Sequence, residues 1–432
     1  MIDRKADVVV VGGGLAGLAA AAYLARTGRS VVVLEKGATA GGRARTRTKN
    51  GYHFNVGAHA LYRGGAARAV LDELGVPFHG RPPDARNALG LRDGELLSLP
   101  VTPGALLTSR LMGLGGKWEL ARLMRRLPTM DPAAAYGVSL AAWMSANVRH
   151  PAVAELLHTF FSVATYSNDP DRMDTGAALR QLQLALAPGV LYLDGGWQTL
   201  VDGLLDRARQ AGVRVVTHAD VEALEHDGRV RGVRLRDGER WTAPVVVSTL
   251  PPPAVAALPG LEDTQVARIA RTRVPVHAAT LDLGLRRLPR PQNLVAFGLG
   301  RPLYFSVHSA VARLAPEGGA LVHTIRYLGN DGRAPAAVES ELEALVDRAQ
   351  PGWRDEVVER RFVPDLVVSN ALVLASENGL AGRPAVVVPE RPGFFVAGDW
   401  VGSQGQLADA SLGSARAAAA AVVCGAERVA AA

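Results

Sequence analysis

Three glycines near the start of the sequence have the spacing that lets a backbone bind a dinucleotide. Gly12, Gly14 and Gly17 occupy the G-x-G-x-x-G positions. In this pattern the first glycine permits a tight turn, the second lets the backbone approach a pyrophosphate, and the third lets a helix pack closely on a strand. Glu35 follows Gly17 by 18 residues, close to the roughly 20 expected for the acid that binds the ribose hydroxyls. These residues therefore predict a dinucleotide site.

A strand, a helix and a second strand are predicted around these glycines. Val8–Val11 and Val31–Leu34 are apolar runs, and Leu15–Arg26 between them favours a helix. At the start of that helix, Leu15 and Ala16 would present unpaired N–H groups and a partial positive charge to the phosphates. Packing alone can produce a glycine-rich turn, but strand, helix and acid together favour the βαβ unit of an α/β, Rossmann-like domain.

A second glycine pair followed by an arginine, Gly41-Gly42-Arg43, lies shortly after the acid. With the first glycines, this pattern resembles the FAD fingerprint of the superfamily that contains flavin amine oxidases, phytoene desaturases and protoporphyrinogen oxidase. The resemblance implies that the glycine pair passes close to the flavin end of FAD and that Arg43 contacts the cofactor. Lys36, beside Glu35, joins the expected cofactor-binding residues.

The segment Gly51–His59 resembles the family's G-F-x-x-D-x-G-x-H strand. Asn55 stands where an aspartate is usual, so hydrogen bonding is retained but the negative charge is not. The resemblance places Gly57, Ala58 and His59 near the isoalloxazine ring. For His59 we favour cofactor contact or ordering of the loop; proton transfer by its near-neutral imidazole is the alternative.

Two later segments extend the resemblance. Val221 matches the place where the family contacts the adenine side of FAD through the main chain. The stretch Pro392–Arg416 is very similar to the family's C-terminal flavin motif. It implies that Asp399, after Gly398, holds the ribitol. It also implies that a helix beginning near Leu407 points at the pyrimidine oxygens of the flavin, where its positive end would stabilise the reduced ring.

The chain length of 432 residues predicts two or three domains. We expect a discontinuous, GR2-type FAD-binding domain made of residues 1–62, 190–262 and 386–432, interleaved with an α+β substrate domain. That second domain would contain a helical cap, residues 63–189, and a sheet with helices on one face, residues 263–385. Predicted cap helices cover residues 103–113, 116–127, 139–148, 151–165 and 175–187. Predicted strands of the second part cover residues 276–283, 303–308 and 320–328, where the aromatic and histidine side chains favour core positions over a pocket floor.

Composition limits the partners. The formal charge is +7, and 44 of the 48 basic residues are arginines scattered singly, without the basic stripe of a nucleic-acid site. Cys424 is the only cysteine, so neither disulfides nor a cysteine metal cluster are expected, which is typical of a reducing cytoplasm. The segment Val8–Ala25 lacks charges but carries the nucleotide fingerprint, and we expect no other segment to be long and apolar enough to span a bilayer.

The stretch Leu106–Arg126 combines Leu, Met and Trp with Lys and Arg. Such a stretch can form a helix that lies on a membrane surface, and peripheral membrane contact is therefore one expectation. We favour an ordinary amphipathic helix with its apolar face on the core. Gly113, Gly115 and Gly116 would interrupt one long helix.

The family that this sequence resembles catalyses several reactions, and particular residues of the sequence disfavour amine oxidation. Amine oxidases of this family usually keep a substrate-domain lysine near the flavin and an aromatic pair around the amine. Here Lys117 is the last lysine, and residues 401–416 contain no aromatic side chain. Cys424 lies too late for covalent flavin attachment, so FAD is expected to be non-covalent. A second G-x-G-x-x-G is absent, and no separate NAD(P)H site is expected.

The leading hypothesis is an FAD-dependent oxidoreductase that dehydrogenates a lipophilic or polycyclic small molecule. Oxygen, a quinone or another diffusible acceptor would reoxidise the flavin. An amine or amino-acid oxidase, a redox-neutral isomerase and a non-enzymatic flavin-binding protein are the alternatives. The sequence carries no readable code for the substrate.

Overall fold

The computed structural model describes residues 4–84, 86–329 and 336–430, with side chains described to residue 425. The strands are β1 Val8–Val11, β2 Val31–Leu34, β3 Thr46–Lys49, β4 Tyr52–Asn55, β5 Leu61–Tyr62, β6 Gly80–Arg81, β7 Leu89–Arg92, β8 Glu95–Ser98, β9 Val190–Leu193, β10 Arg214–Val216, β11 Val221–His226, β12 Val230–Leu235, β13 Arg240–Thr242, β14 Val245–Ser248, β15 Val276–Leu285, β16 Val295–Gly298, β17 Leu303–Val307, β18 Ala320–Tyr327, β19 Val357–Ser369 and β20 Phe394–Val396. The α-helices are α1 Leu15–Ala25, α2 Ala66–Leu74, α3 Pro103–Thr108, α4 Leu114–Arg126, α5 Leu140–Asn147, α6 Pro151–Thr165, α7 Thr175–Leu186, α8 Gln198–Gln210, α9 Pro252–Ala256, α10 Gln265–Thr272, α11 Val338–Ala349 and α12 Leu407–Ala430.

A five-stranded parallel sheet with the order β10-β2-β1-β14-β20 forms the centre of one half of the molecule. Its strands are short, and β1, β2 and β20 are buried on both faces, as expected of a parallel sheet, whereas the edge strand β10 is partly exposed. Because side chains alternate along a strand, Val8 and Val10 pack against α1, α2, α8 and α12. Val9 and Val11 face the other layer, which contains the β11-β12-β13 meander and helices α9 and α10. The predicted α/β, Rossmann-like fold is therefore confirmed.

The second half is a seven-stranded mixed sheet with the order β19-β15-β18-β17-β16-β7-β8. Helix α11 covers one face, where Leu342, Leu345 and Val346 are buried. Helices α4 to α7 pack over the other face and share one apolar core with β15 to β18. This is the expected sheet with a helical cap, in an α+β arrangement.

The packing differs from the expected extent of the cap, residues 63–189. Helix α2 buries Val70, Leu71 and Leu74 in the core of the parallel-sheet half. Strands β7 and β8 form a hairpin at the edge of the seven-stranded sheet. The turn of this hairpin is Asp93-Gly94, with φ of 52° and 83°, and an Asp-Gly pair is a strong local signal for such a turn.

The resemblance implies a helix start near Leu407, and the alanine-rich residues 415–432 favour a terminal helix. Helix α12 includes both: it begins at Leu407 and extends to Ala430, while residues 431–432 lie outside the described part. The stretch Leu407–Gly425 is long and apolar enough to cross a membrane, against the expectation that no further segment would be. Half of that stretch is buried against α1 and α2, as is typical of an apolar helix packed in a protein core.

Candidate functional site

A cavity of about 780 Å³ lies between the two halves of the molecule. Its lining begins at the carboxyl end of β1 with Val11 and Gly12 and includes the start of α1, Leu15 and Ala16. The crevice outside the carboxyl ends of parallel strands is where nucleotides bind in open α/β sheets. The N-terminus of α1 thus supplies the free N–H groups and positive partial charge that stabilise a phosphate.

The fingerprint glycines have different surroundings. A Cβ atom added at Gly14 would meet no protein atom within 4 Å, and Gly14 lines the cavity. The backbone at Gly14 is therefore open to the cavity, as the close approach of a pyrophosphate requires. Gly17 does not line the cavity. A Cβ there would collide with the carbonyl oxygen of Gly12, so Gly17 permits the helix to pack on the turn, as predicted from its position.

Glu35 organises the turn as well as facing the cavity. Its Oε2 accepts a hydrogen bond from the Gly13 N–H and its Oε1 accepts one from the Gly37 N–H, both over 2.7 Å. Lys36 and Val221 line the same end. A carboxylate held by two N–H donors is a fixed acceptor, suited to the ribose hydroxyls that the fingerprint predicts it to bind.

The second glycine pair brings an arginine to the opposite side of the turn. Gly41 donates to the Gly13 carbonyl over 2.8 Å, which joins the two glycine segments. Arg43 then donates to Asp399 over 2.8 Å and to the Val368 carbonyl over 2.9 Å. All three predicted residues of this motif line the cavity.

Asp399 is almost completely buried at the carboxyl end of β20. Asn370 donates to it twice, through the backbone N–H over 2.9 Å and the side-chain amide over 2.8 Å. Burial alone would raise the pKa of this carboxyl, but the Arg43 guanidinium and the Asn370 donors outweigh it and hold the pKa below its ordinary value. Asp399 is therefore an ionised acceptor at the cavity wall.

Helix α12 starts at the same wall. Leu407, its first residue, has a φ of 55°, a left-handed conformation that is costly for a leucine and is often found at ligand sites. Leu407, Ala408, Asp409 and Ser411 line the cavity. The positive end of the α12 dipole is thus directed at this part of the cavity, which the resemblance assigns to the flavin pyrimidine.

The strand β4 and the loop after it supply the remaining predicted residues. Gly57, Ala58 and His59 line the cavity, and His59 packs on Trp197 with ring centroids 4.8 Å apart. The Nδ1 of His59 lies 3.0 Å from the Gly57 carbonyl, so Nδ1 carries the proton of the neutral ring. Burial lowers the pKa of His59 to about 4, so the imidazole is neutral at physiological pH.

Asn55 shows why an amide is sufficient where an aspartate is usual. Its Oδ1 accepts from the backbone N–H of Trp197 over 3.0 Å and from the Thr46 hydroxyl over 2.6 Å. Both partners need only an acceptor oxygen, and a carbonyl supplies it. The residue is buried and fixes β4 against the start of α8.

A buried polar cluster lies behind this loop in the seven-stranded sheet. Asp282 accepts from His323 over 2.6 Å and from Arg361 Nε over 3.0 Å, and Arg361 also donates to the Asn55 carbonyl. His308 stacks on Tyr192 with centroids 3.7 Å apart. Asp282, His308, His323 and Tyr192 are buried, as expected for the histidines of that sheet, whereas Arg361 is partly exposed. None of these residues is in the cavity lining.

Sequence reasoning missed several residues of the site. Asn370 follows β19 and has no motif around it, while Asp409 stood inside the C-terminal motif without an assigned role. The substrate-domain side of the wall is apolar or aromatic over much of its area. It includes Tyr166, Ala278, Ile325 and Leu366. Except for Gly17, all predicted cofactor residues line this one cavity; their contact with FAD stays a prediction.

Comparison with known proteins gives the family. The sequence pattern of the family described as flavin containing amine oxidoreductase matches residues 15–423. AofH of Mycobacterium tuberculosis, a candidate flavin-containing monoamine oxidase, is 30% identical over 265 residues, which are 58% of each chain. The phytoene desaturase of Neurospora crassa is 26% identical over 290 residues, which are 57% of this chain and 48% of the relative. The matched stretches thus span only about half the length of these relatives.

The fold has close counterparts among solved structures. An oxidoreductase from Methanosarcina mazei superposes with a TM-score of 0.74 and 20% sequence identity, covering 96% of this chain and 99% of the other. At that identity the similarity establishes the fold, while the match over residues 15–423 establishes the family. The chain therefore belongs to the flavin-containing amine oxidoreductase family.

Proposed function

We propose that this enzyme dehydrogenates a lipophilic small molecule while FAD is bound non-covalently. The observation that carries the proposal is the continuity of one cavity from the predicted cofactor residues to an apolar wall of the substrate domain. Ala278 and Ile325 of the seven-stranded sheet and Tyr166 after α6 belong to that wall. An apolar wall binds hydrocarbon by removing it from water.

Two polar side chains on the substrate-domain side of the wall have partners in the described structure. Arg273 pairs with Glu377, and His277 pairs with Asp365. Of the four lysines in the sequence, only Lys36 lines the cavity, beside Glu35. The lysine expected of a typical amine oxidase therefore has no counterpart in this wall, which favours a neutral, lipophilic substrate.

When bound, FAD supplies a ring that accepts a hydride from a C–H bond. The residues of this chain position the two molecules. The α1 N-terminus and Glu35 would hold the dinucleotide end, Asp399 would accept from the ribitol, and the α12 N-terminus would stabilise negative charge on the ring. Loss of the second hydrogen as a proton completes the double bond, with His59 or solvent as its acceptor. Oxygen or another diffusible acceptor would take the electrons from the reduced cofactor.

Two relatives motivate the choice of test compounds. The phytoene desaturase suggests a lipophilic polyene, and the similarity to AofH makes amine oxidation the second candidate. We would mix the purified, FAD-loaded enzyme anaerobically with acyclic polyenes in detergent and, separately, with primary and secondary amines. Bleaching of the flavin absorbance is the readout. Acid precipitation in parallel separates released, non-covalent FAD from covalently bound FAD.

We expect bleaching with polyenes, formation of a more unsaturated product and release of FAD into the supernatant. Bleaching with amines alone would contradict the proposal and favour an oxidase. Product formation without bleaching or oxygen uptake would instead favour an isomerase. Protein that binds no flavin would overturn all of these assignments.

A further inference from the structure

The three most exposed large apolar side chains of the described residues lie together at one corner of the cap. Leu114 is 85% exposed, Leu107 76% and Trp118 66%, whereas the next, Leu186, is 46% exposed. Leu107 belongs to α3, and Leu114 and Trp118 belong to α4. We call the surface formed by these three side chains and the basic residues around them the docking corner.

Two observations relate the helices that carry the three side chains. Leu114 and Trp118 are four residues apart on α4 and so share one face of the helix. Lys117 donates to the carbonyl oxygen of Leu107 over 2.6 Å, which fixes the end of α3 beside the first turn of α4. The segments that carry the exposed side chains are therefore adjacent on the surface.

The opposite face of α4 is anchored in the core. Leu120 and Leu123 are buried in the same apolar cluster as Ala58 and Ile325, two residues of the cavity wall. The expected packing of an amphipathic helix on the core is therefore confirmed for the face that carries Leu120 and Leu123. The face that carries Leu114 and Trp118 is apolar but exposed. Because the core fixes the rotation of α4, the exposure of Leu114 and Trp118 does not come from a loosely placed helix.

The charge around the patch is strongly positive. Residues 103–130 contain five basic residues, Arg110, Lys117, Arg122, Arg125 and Arg126, and a single acid, Glu119. Glu119 is turned to the start of α6, where it accepts from the Arg149 and His150 N–H groups over 2.7 and 2.8 Å. Arg122 lies over the Trp118 ring at 5.7 Å. Leucine and tryptophan beside arginine and lysine are the composition of a helix that lies in a membrane interface.

We propose that the docking corner binds the surface of an anionic lipid bilayer. The apolar side chains would enter the acyl boundary, and the arginines and lysine would remain at the phosphate level. A two-fold contact between two copies would place the same five cations opposite one another, which opposes self-association. This inference goes beyond the proposed function, because it concerns binding of the protein to a membrane surface and not the reaction. Vesicle binding can be measured without turnover.

The test is co-sedimentation of the FAD-loaded protein with vesicles of phosphatidylcholine alone or mixed with phosphatidylglycerol. The variant L114E/W118E removes the two most prominent α4 side chains. Its matched control, L186E/V358E, introduces the same charge at two exposed apolar sites of α7 and β19. Flavin content and thermal unfolding establish that both variants are folded.

We expect wild type and the control to bind the mixed vesicles in a salt-sensitive manner. The L114E/W118E variant should lose roughly tenfold or more in partition coefficient, since two apolar groups are replaced by charges that anionic lipid repels. The proposal would be overturned if the wild type bound neither kind of vesicle. It would also be overturned if the control variant lost as much vesicle binding as L114E/W118E. A concentration-dependent dimer that L114E/W118E abolishes, without vesicle binding, would assign the corner to a second copy instead.

Discussion

The guanidinium of Arg43 donates to the carboxylate of Asp399 over 2.8 Å, although the two residues are 356 positions apart. The pair joins the second glycine motif to the end of β20 and thereby closes the cavity wall around the expected flavin. Asp399 is buried, whereas the Arg43 side chain is partly exposed. Removal of the cation therefore leaves a buried carboxylate with only the Asn370 donors.

The first prediction concerns this pair. Arg43→Ala should lower the free energy of unfolding by about 1–3 kcal/mol, the cost of an under-satisfied buried charge. Asp399→Asn should recover part of that loss, because the neutral amide needs no cation. Urea unfolding of both single variants and the double variant, at matched flavin saturation, gives the coupling energy. Effects that add to within roughly 0.5 kcal/mol would show that the pair is not coupled.

The second prediction concerns Glu35. Replacing it with alanine removes the acceptor for the Gly13 and Gly37 N–H groups and the expected acceptor for the ribose. We expect the Kd for FAD to rise roughly tenfold to a hundredfold, as two or more hydrogen bonds are lost. Equilibrium titration of the FAD-free protein measures the change. Glu222→Ala, which removes a surface ion pair with Arg234, is the control, and an equal Kd for both variants would contradict the assigned role of Glu35.

The cofactor half was predictable because its signals are local. Each signal is contained in a stretch of a few consecutive residues. Examples are the G-x-G-x-x-G turn, the Val8–Val11 strand and the Asp227-Gly228 and Asp237-Gly238 turns. The hairpins β11-β12-β13 form with those two turns. Secondary-structure propensity and hydrophobic periodicity are also determined by a few neighbouring residues, so these elements could be predicted from short stretches of sequence.

The rest depends on contacts between distant segments. Asn370 becomes a donor to Asp399 only when β19 and β20 meet, and no pattern near it announces that role. The membership of β7 and β8 in the seven-stranded sheet depends on pairing of β7 with β16. For α4, periodicity identified an amphipathic helix but could not show that Leu114 and Trp118 lie outside the core. Such facts are set by tertiary packing, which overrides local preference.

The third prediction concerns His59 and the pH dependence of the reaction. Burial lowers the pKa of this residue to about 4, so its charge does not change between pH 5 and 8. The pH profile of kcat/KM should therefore have the same shape in the wild type and in His59→Gln, even if the variant is slower. A wild-type inflection between pH 6 and 7 that disappears in His59→Gln would instead assign a proton-transfer role with a near-normal pKa.

The last prediction concerns Asp409 in the first turn of α12. Its Oδ1 accepts from the Ala67 N–H over 2.8 Å, while its buried Oδ2 has no partner among the described residues. Burial raises the pKa of this carboxyl from 3.8 to about 6. Between these values the folded state binds the proton more tightly than the unfolded state. Stability should therefore fall as the pH rises from about 4 to 6 and stay lower above that range.

Asp409→Asn keeps an acceptor for Ala67 and removes the ionisation. The unfolding free energy of the wild type relative to this variant should decrease by on the order of 2–3 kcal/mol between pH 4 and 7. Asp72→Asn, which removes an exposed carboxyl on α2, is the matched surface control. Urea unfolding at several pH values provides the measurement. A flat difference, or one that increases with pH, would mean that the positive end of α12 stabilises the ionised carboxylate more strongly than burial opposes it.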